Sequence, residues 1–221
     1  MHLRCHAYSL AVTPTFSKSN ENFTTLDQRQ GLGQPGILSM TQDNLGYIWV
    51  GTQAGLNRYD GYKFLQFSDS KPALSVLAGT YISALCNTKN NILWIGTRSG
   101  ISRYNYQTGD TSILSEENGK IPSNKISSLS CGDNRVVVGT FNNGTFALET
   151  TTGEMIADSI TTPISIAHVY QFNNVTYIAG RDGFYRQWHS TNTLEKLTTD
   201  KVTSITANNE WIFLELSLIQ L

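Results

Sequence analysis

The sequence is poor in charge and in cysteine, and it lacks any long apolar run. Only 15% of its 221 residues are charged, 16 basic against 17 acidic, for a formal net charge of -1. That balance leaves no field of one sign to attract nucleic acid or an anionic membrane, so a nucleic-acid-binding function is excluded on this ground. The longest unbroken apolar runs, among them 47–50 and 211–214, are four residues each, against the roughly 18 that a spanning helix needs. No membrane segment is encoded in the sequence. The three cysteines, Cys5, Cys86 and Cys131, are too few and too scattered for a disulfide framework or for a zinc site with paired cysteine spacing. Neither a metal nor a cofactor is implied. Near the N-terminus Arg4 precedes a six-residue apolar stretch, 7–12, broken by Tyr8 and Ser9; a secretory signal carries about 7–15 apolar residues. Residues 1–22 therefore read as a leader, either a degenerate signal or disordered.

What is present is a repeat. The first copy runs through 37–43, a turn at Asn44-Leu45-Gly46, then Tyr47-Ile48-Trp49-Val50-Gly51-Thr52 and 53–61. A second runs from 81–85 through Asn90-Asn91 to Leu93-Trp94-Ile95-Gly96-Thr97 and 98–104. Weaker copies follow at 125–129 with Val136-Val137-Val138-Gly139-Thr140, and at Tyr177-Ile178-Ala179-Gly180 with 181–185. The anchoring glycines, Gly51, Gly96, Gly139 and Gly180, are spaced 45, 43 and 41 residues apart, which is the period of a propeller blade.

Each unit has the grammar of four short strands. Asp43-Asn44-Leu45-Gly46, Lys89-Asn90-Asn91, Gly132-Asp133-Asn134 and Asn173-Asn174 are tight-turn signals between first and second strands. Asp60-Gly61, Thr108-Gly109, Thr152-Gly153 and Thr191-Asn192 mark a second set between third and fourth strands. The second strand of each unit is apolar at consecutive positions, as expected where neighbouring blades cover both sheet faces. The predicted fold is therefore all-β, with four-stranded antiparallel meanders and no long helix. In the first unit the strands fall at 37–43, 47–53, 55–60 and 63–68. The units divide as 37–80, 81–124, 125–163 and 164–200, with a partial fifth at 201–221 and a lone closing strand and lead-in loop at 23–36. The first strand of each blade lines the central channel. The connections between blades share one face with the turns from second to third strand, the usual binding face of this architecture.

The run Gln42-Asp43-x-x-Gly46-Tyr47-Ile48-Trp49-Val50-Gly51-Thr52-x-x-Gly55-Leu56-Asn57-Arg58-Tyr59-Asp60-Gly61 resembles the two-component regulator propeller repeat almost position for position. Gln30-Gly31-Leu32 is similar to the lead-in of such modules. The second unit matches strongly; the third and fourth lack Trp and match mainly by spacing, and the resemblance covers roughly residues 23–214. It implies the propeller of a large periplasmic sensor, seven-bladed, ahead of a membrane helix and a cytoplasmic histidine kinase or diguanylate cyclase. Seven blades would take about 300 residues, so four blades and a stub suggest a truncated product capable of self-association. The implied function is a non-catalytic, ligand-sensing module, its partner a small molecule such as a sugar or an anion. A sialidase-type propeller enzyme and a protein-interaction propeller are the alternatives. Asp43-x-x-Gly46-x-x-Trp49 only superficially resembles the Asp-box of sialidases.

The candidate binding set is positional. Gln53, Arg98, Phe141 and Arg181 each open the turn after the second strand, so blade repetition puts them on one face, where Arg98 and Arg181 could present donors to an anionic or sugar ligand. Trp49, Trp94 and Tyr177 read as packing between blades, the repeated glycines as points of close backbone approach, and Asp43 and Asp60 as caps of their own turns. His2, His6, His168 and His189 are isolated from one another and from any nucleophile motif. Cys86 and Cys131 fall near the ends of equivalent inner strands; a disulfide is open to an exported protein, and two buried free thiols are the preferred reading.

Overall fold

The computed structural model describes residues 24–67, 77–157, 165–207 and 212–216. The leader, Phe23, Trp211 and most of the connections following the first and third units lie outside the described residues.

Turn chemistry cuts the chain into strands where the sequence predicts. Gly46, Gly61, Gly109 and Gly153 have φ between 79° and 96°, and Asn91, Asn173 and Asn192 take the left-handed region at 53–59°, the conformation that Gly and Asn tolerate best. The first blade comprises β1 (Ile37–Gln42), β2 (Ile48–Thr52), β3 (Gly55–Tyr59) and β4 (Phe64–Phe67). The second comprises β5 (Ile82–Asn87), β6 (Ile92–Thr97), β7 (Gly100–Asn105) and β8 (Thr111–Leu114). The third has β9 (Ile126–Cys131), β10 (Arg135–Thr140) and β11 (Thr145–Glu149). The fourth has β12 (Ile166–Phe172), β13 (Val175–Gly180), β14 (Gly183–Trp188) and β15 (Thr193–Thr198), and β16 (Val202–Ala207) with β17 (Ile212–Leu216) begins a fifth. Every sheet is an antiparallel meander in sequence order. The inner strands β1, β5, β9, β12 and β16 pack one against the next, which is the radial arrangement of propeller blades.

Two expectations are corrected. Blade three lacks a full fourth strand: among the described residues its outer edge is a single bridge, Leu148 to Met155, held by Ile156 N–H on the Ala147 carbonyl at 2.9 Å. The closing strand expected from residue 23 is also absent over residues 24–27. There the chain runs into a single 3-10 turn, Gln28–Gln30, capped by Asp27. It then lies along blade one, where Gly33 N–H bonds Asn57 Oδ1 at 3.0 Å and Gln66 Nε2 bonds the Gly31 carbonyl at 2.7 Å. Side chains thus serve the backbone groups of Asp27, Arg29, Gly31 and Gly33.

The repeated Gly-Thr pair does two separate things. A Cβ on Gly51 would stand 2.6 Å from Ile82 Cγ2, one on Gly96 2.7 Å from Ile126 Cγ2, and one on Gly139 2.7 Å from Ile166 Cγ2. Each glycine is thus a seat for the first isoleucine of the next blade's inner strand, and all three isoleucines are buried. The threonine locks the following turn: Thr52, Thr97 and Thr140 each donate Oγ1 to a glycine carbonyl at 2.9 Å, across to Gly55, Gly100 and Gly144. In the fourth blade the register moves the seat by one residue. Ser39, Ala84, Ser128 and His168 pair with Gly51, Gly96, Gly139 and Ala179, so Ala179, not Gly180, stands at the seat. The residue packed with it is Val202, one methylene smaller than the isoleucines. One methyl added to the seat is offset by one removed from its occupant.

Side chains also bridge inner strands. Ser128 Oγ accepts from Val169 N–H at 3.1 Å, and at the equivalent place one blade later His168 Nδ1 accepts from Ile205 N–H at 3.0 Å. Ala84 offers no such acceptor between blades two and three, and there Cys86 and Cys131 form a disulfide with Cα atoms 5.7 Å apart. The preferred reading of two free thiols is overturned: side-by-side packing of β5 and β9 brings the pair within the bonding range of about 4.4–6.8 Å.

Trp49 is buried between blades and donates its indole N–H to Asp43 Oδ2 at 2.7 Å, while Asp43 Oδ1 accepts from Leu45 and Tyr47 N–H. The turn-capping role expected of Asp43 holds, and the same carboxylate also satisfies the buried indole. Trp94 is equally buried, but Thr88 stands where Asp43 would be and the Trp94 indole nitrogen has no partner.

Truncating Trp49 to Ala is expected to lower unfolding free energy by about 3–5 kcal/mol, against about 0.5 or less for the exposed Arg98→Ala, as read from urea midpoints. Acid should loosen the fold before any carboxylate titrates. Burial holds the His168 imidazole below its ordinary value, and burial followed by the Arg135 charge does the same to His189. Their contribution is complete above the ordinary histidine value near 6.5 and is lost as pH falls from there through the lowered folded values. Urea midpoints should drop between pH 7.5 and pH 5.5, and His168→Gln should flatten that slope.

Candidate functional site

The sequence-predicted set sits where blade geometry requires. Gln53, Arg98, Phe141 and Arg181 follow Thr52, Thr97, Thr140 and Gly180, the ends of β2, β6, β10 and β13. Phe141 N–H bonds the Lys125 carbonyl and Arg181 N–H the Ser165 carbonyl, both at 3.0 Å. These bonds tie the turns to the residues that lead into β9 and β12, so turns and inter-blade connections share one face.

Within the set, Arg98 and Phe141 meet. The Arg98 guanidinium carbon lies 3.9 Å from the Tyr81 ring centroid and 5.8 Å from that of Phe141. The guanidinium lies over the aromatic ring while the residue stays exposed. Gln53 and Arg181 are exposed on the same face, and no hydrogen bond, ion pair or ring contact among the described residues joins either to the Arg98 pair.

Beside this pair opens a cavity of about 240 Å³, walled by Tyr81 and Phe141, with Ile166 and the inner-strand residues Leu38, Ser83, Ser127 and Ala167. Those four share an origin. The pairing of each inner strand with its neighbour shifts register once, between Ile37 and Ser39, Ile82 and Ala84, Ile126 and Ser128, and Ile166 and His168. The residue skipped in each is Leu38, Ser83, Ser127 or Ala167; Thr203 is skipped in the fifth blade. A bulge re-aims its extra side chain, and here the extra residue of four successive blades lines one mouth. Ser83 Oγ is engaged, 2.6 Å from the Ile126 carbonyl and 3.1 Å from that of Gly96. Ser127 Oγ is buried with no partner, and Ser127 is one of the residues that line the cavity.

Sequence reasoning found Arg98 and Phe141 but missed Tyr81, Ser83 and Ser127. The available signal was positional: each follows or precedes the first apolar residue of its inner strand. No carboxylate lines the cavity, and among the described residues no cluster of three His, Cys, Asp or Glu could hold a metal. His168 is engaged between blades and His189 Nε2 lies 2.7 Å from Thr176 Oγ1. The cavity therefore offers hydrogen bonds, a stacking wall and a positive charge, which are means of binding.

The antiparallel meanders, their radial order and the cavity at their inner ends define a β-propeller. Residues 31–54 and 76–99 match the two component regulator propeller family, and the chain carries these repeats in its first two blades. A segment of 55 residues is 38% identical to histidine kinase P4 of Formosa agariphila, covering 25% of this chain and 4% of that protein. The chain is similar in structure to the extracellular domain of the hybrid two component system BT3049 from B. thetaiotaomicron, with TM-score 0.74 and 21% identity, over 87% of this chain and 30% of that one. The corresponding domain of BT4673 from the same organism aligns with TM-score 0.67 and 20% identity over 84% of this chain and 26% of its own. BamB from Moraxella catarrhalis, at TM-score 0.61 and 13% identity over 82% of this chain and 55% of its own, has the same fold. The chain thus spans under a third of the two extracellular domains, and its matched segment a small fraction of the kinase. Among the described residues no helix is long and apolar enough to cross a membrane.

Proposed function

We propose that this chain is a non-catalytic sensor propeller of a two-component signalling receptor and that it binds a small polar or anionic ligand at the mouth formed by blades one to four. The observation that carries the reading is a cavity lined by Ser127, whose buried hydroxyl has no partner, and walled by Tyr81, over whose ring the Arg98 guanidinium lies. An unmatched buried hydroxyl is costly unless a ligand or water completes it, and a guanidinium fixed by its face keeps its edge ready for an anionic group. The repeats matched in blades one and two supply the signalling context. A location outside the cytoplasm is supported by the Cys86–Cys131 disulfide, since such bonds persist in oxidising compartments. The extracellular origin of the BT3049 and BT4673 domains favours the same location.

Titration calorimetry with glucuronate and with its neutral parent, glucose, tests the reading. Binding of either is expected to weaken about tenfold or more in Ser127→Val, and binding of glucuronate also in the double variant Arg98→Ala, Arg181→Ala. Unchanged affinity in all variants would remove the ligand from this mouth.

A further inference from the structure

The sequence holds two Asn-Gly pairs, Asn118-Gly119 and Asn143-Gly144. In such a pair the glycine backbone nitrogen can attack the asparagine side-chain amide carbon, because glycine has no Cβ to obstruct the approach. The reaction is intramolecular, so its rate depends on how freely the two groups meet.

The fold treats the two pairs differently. Asn118 Oδ1 accepts from Ser115 N–H at 3.0 Å and from Lys120 N–H at 3.2 Å, and its Nδ2 donates to the Ile113 carbonyl at 2.9 Å. The attacking nitrogen is engaged as well, with Gly119 N–H on the Glu116 carbonyl at 3.0 Å. Both reacting groups of that pair are held. Asn143 is exposed, and among the described residues its side chain makes one hydrogen bond, from Nδ2 to the Pro122 carbonyl at 3.3 Å, beyond the usual range for such a bond. Gly144 N–H has no hydrogen-bond partner among the described residues. Gly144 is buried, but the carbon it attacks is delivered by the adjacent residue and needs no entry from solvent. The turn also has room for the movement. Three residues, Phe141, Asn142 and Asn143, separate Thr140 from Gly144, where Gln53-Ala54 and Arg98-Ser99 fill the same place in blades one and two.

We propose that Asn143 is a self-modification site, a spontaneous deamidation that the fold permits there and suppresses at Asn118. Gly144 N bonds to Asn143 Cγ, the Cγ–Nδ2 bond breaks, and the glycine proton leaves with Nδ2 as ammonia. Water then opens the five-membered ring at either carbonyl, leaving aspartate or isoaspartate. The product carboxylate has no proton to donate to the Pro122 carbonyl, so the tie between the blade-three turn and the connection after blade two is lost. It also adds one negative charge to the face that carries Arg98 and Phe141. The assignment stands independently of any ligand at the channel mouth.

Ageing the full chain at mildly alkaline pH, with peptide mass spectrometry and fragmentation to place each amide-to-acid conversion, tests it. In the folded chain Asn143 is expected to convert about tenfold or more faster than Asn118, which must first give up more hydrogen bonds around both reacting groups. In urea at the same pH the two rates should converge. Asn143→Gln, whose longer arm closes a ring far more slowly, should leave that position unconverted. Equal or faster conversion at Asn118 in the folded chain would overturn the proposal. So would a rate ratio that persists in urea, since local sequence and not the fold would then set it.

Discussion

The structure depends on one steric constraint, the contact between the first apolar side chain of an inner strand and a glycine on the second strand of the blade before it. Blades are stacked sheets, and sheets of ordinary side chains pack about 10 Å apart. At Gly51, Gly96 and Gly139 the spacing closes locally until an added Cβ would overlap isoleucine carbons. That approach brings the inner strands close enough for Ser83 Oγ to reach the Ile126 carbonyl of the next blade and for Ser128 to reach Val169. It also sets where each inner strand can remain in register with its own neighbour. In every blade the register breaks one residue after the first residue of the inner strand, the position that is seated at each junction within the chain.

Functional geometry follows from that break. Because the bulge recurs at one height, Leu38, Ser83, Ser127 and Ala167 line a common mouth although they lie 40 or more residues apart in sequence. The turn after the second strand reaches the same level, so that Arg98 is laid on Tyr81 and approaches Phe141. A packing requirement thereby positions polar groups at the mouth. The diversity of the bulge residues, one leucine, two serines and an alanine, contrasts with the glycines and single alanine of the seats behind them.

Where the repeat weakens, other contacts stand in its place. Blade three keeps its seat at Gly139 but reduces its fourth strand to a bridge. Blade four exchanges glycine for alanine and isoleucine for valine. Between blades two and three, where Ala84 offers no hydrogen-bond acceptor, the Cys86–Cys131 disulfide joins the inner strands. Trp49 has Asp43 to receive its indole proton, whereas Trp94 relies on packing alone.

Much of this was legible in the residues themselves. Turn chemistry at Asp43-Asn44-Leu45-Gly46 and Asp60-Gly61 bounded the strands to within a residue, since positive φ admits few side chains. Consecutive apolar residues in 48–52 and 92–97 foretold strands covered on both faces, and spacing alone placed Arg98 and Arg181 on equivalent turns after the second strand. Three features were decided only by tertiary structure. The seat in blade four belongs to Ala179 because pairing register, not motif spacing, aligns one strand with another. Cys86 and Cys131 pair because inner strands from different blades lie side by side. Ser127 reaches the lining of a cavity that four blades make together because its bulge falls at the same height as those of its neighbours. Local sequence sets the backbone conformation of each turn and strand, whereas the approach of distant strands depends on how whole blades stack, and no short stretch of residues contains that information.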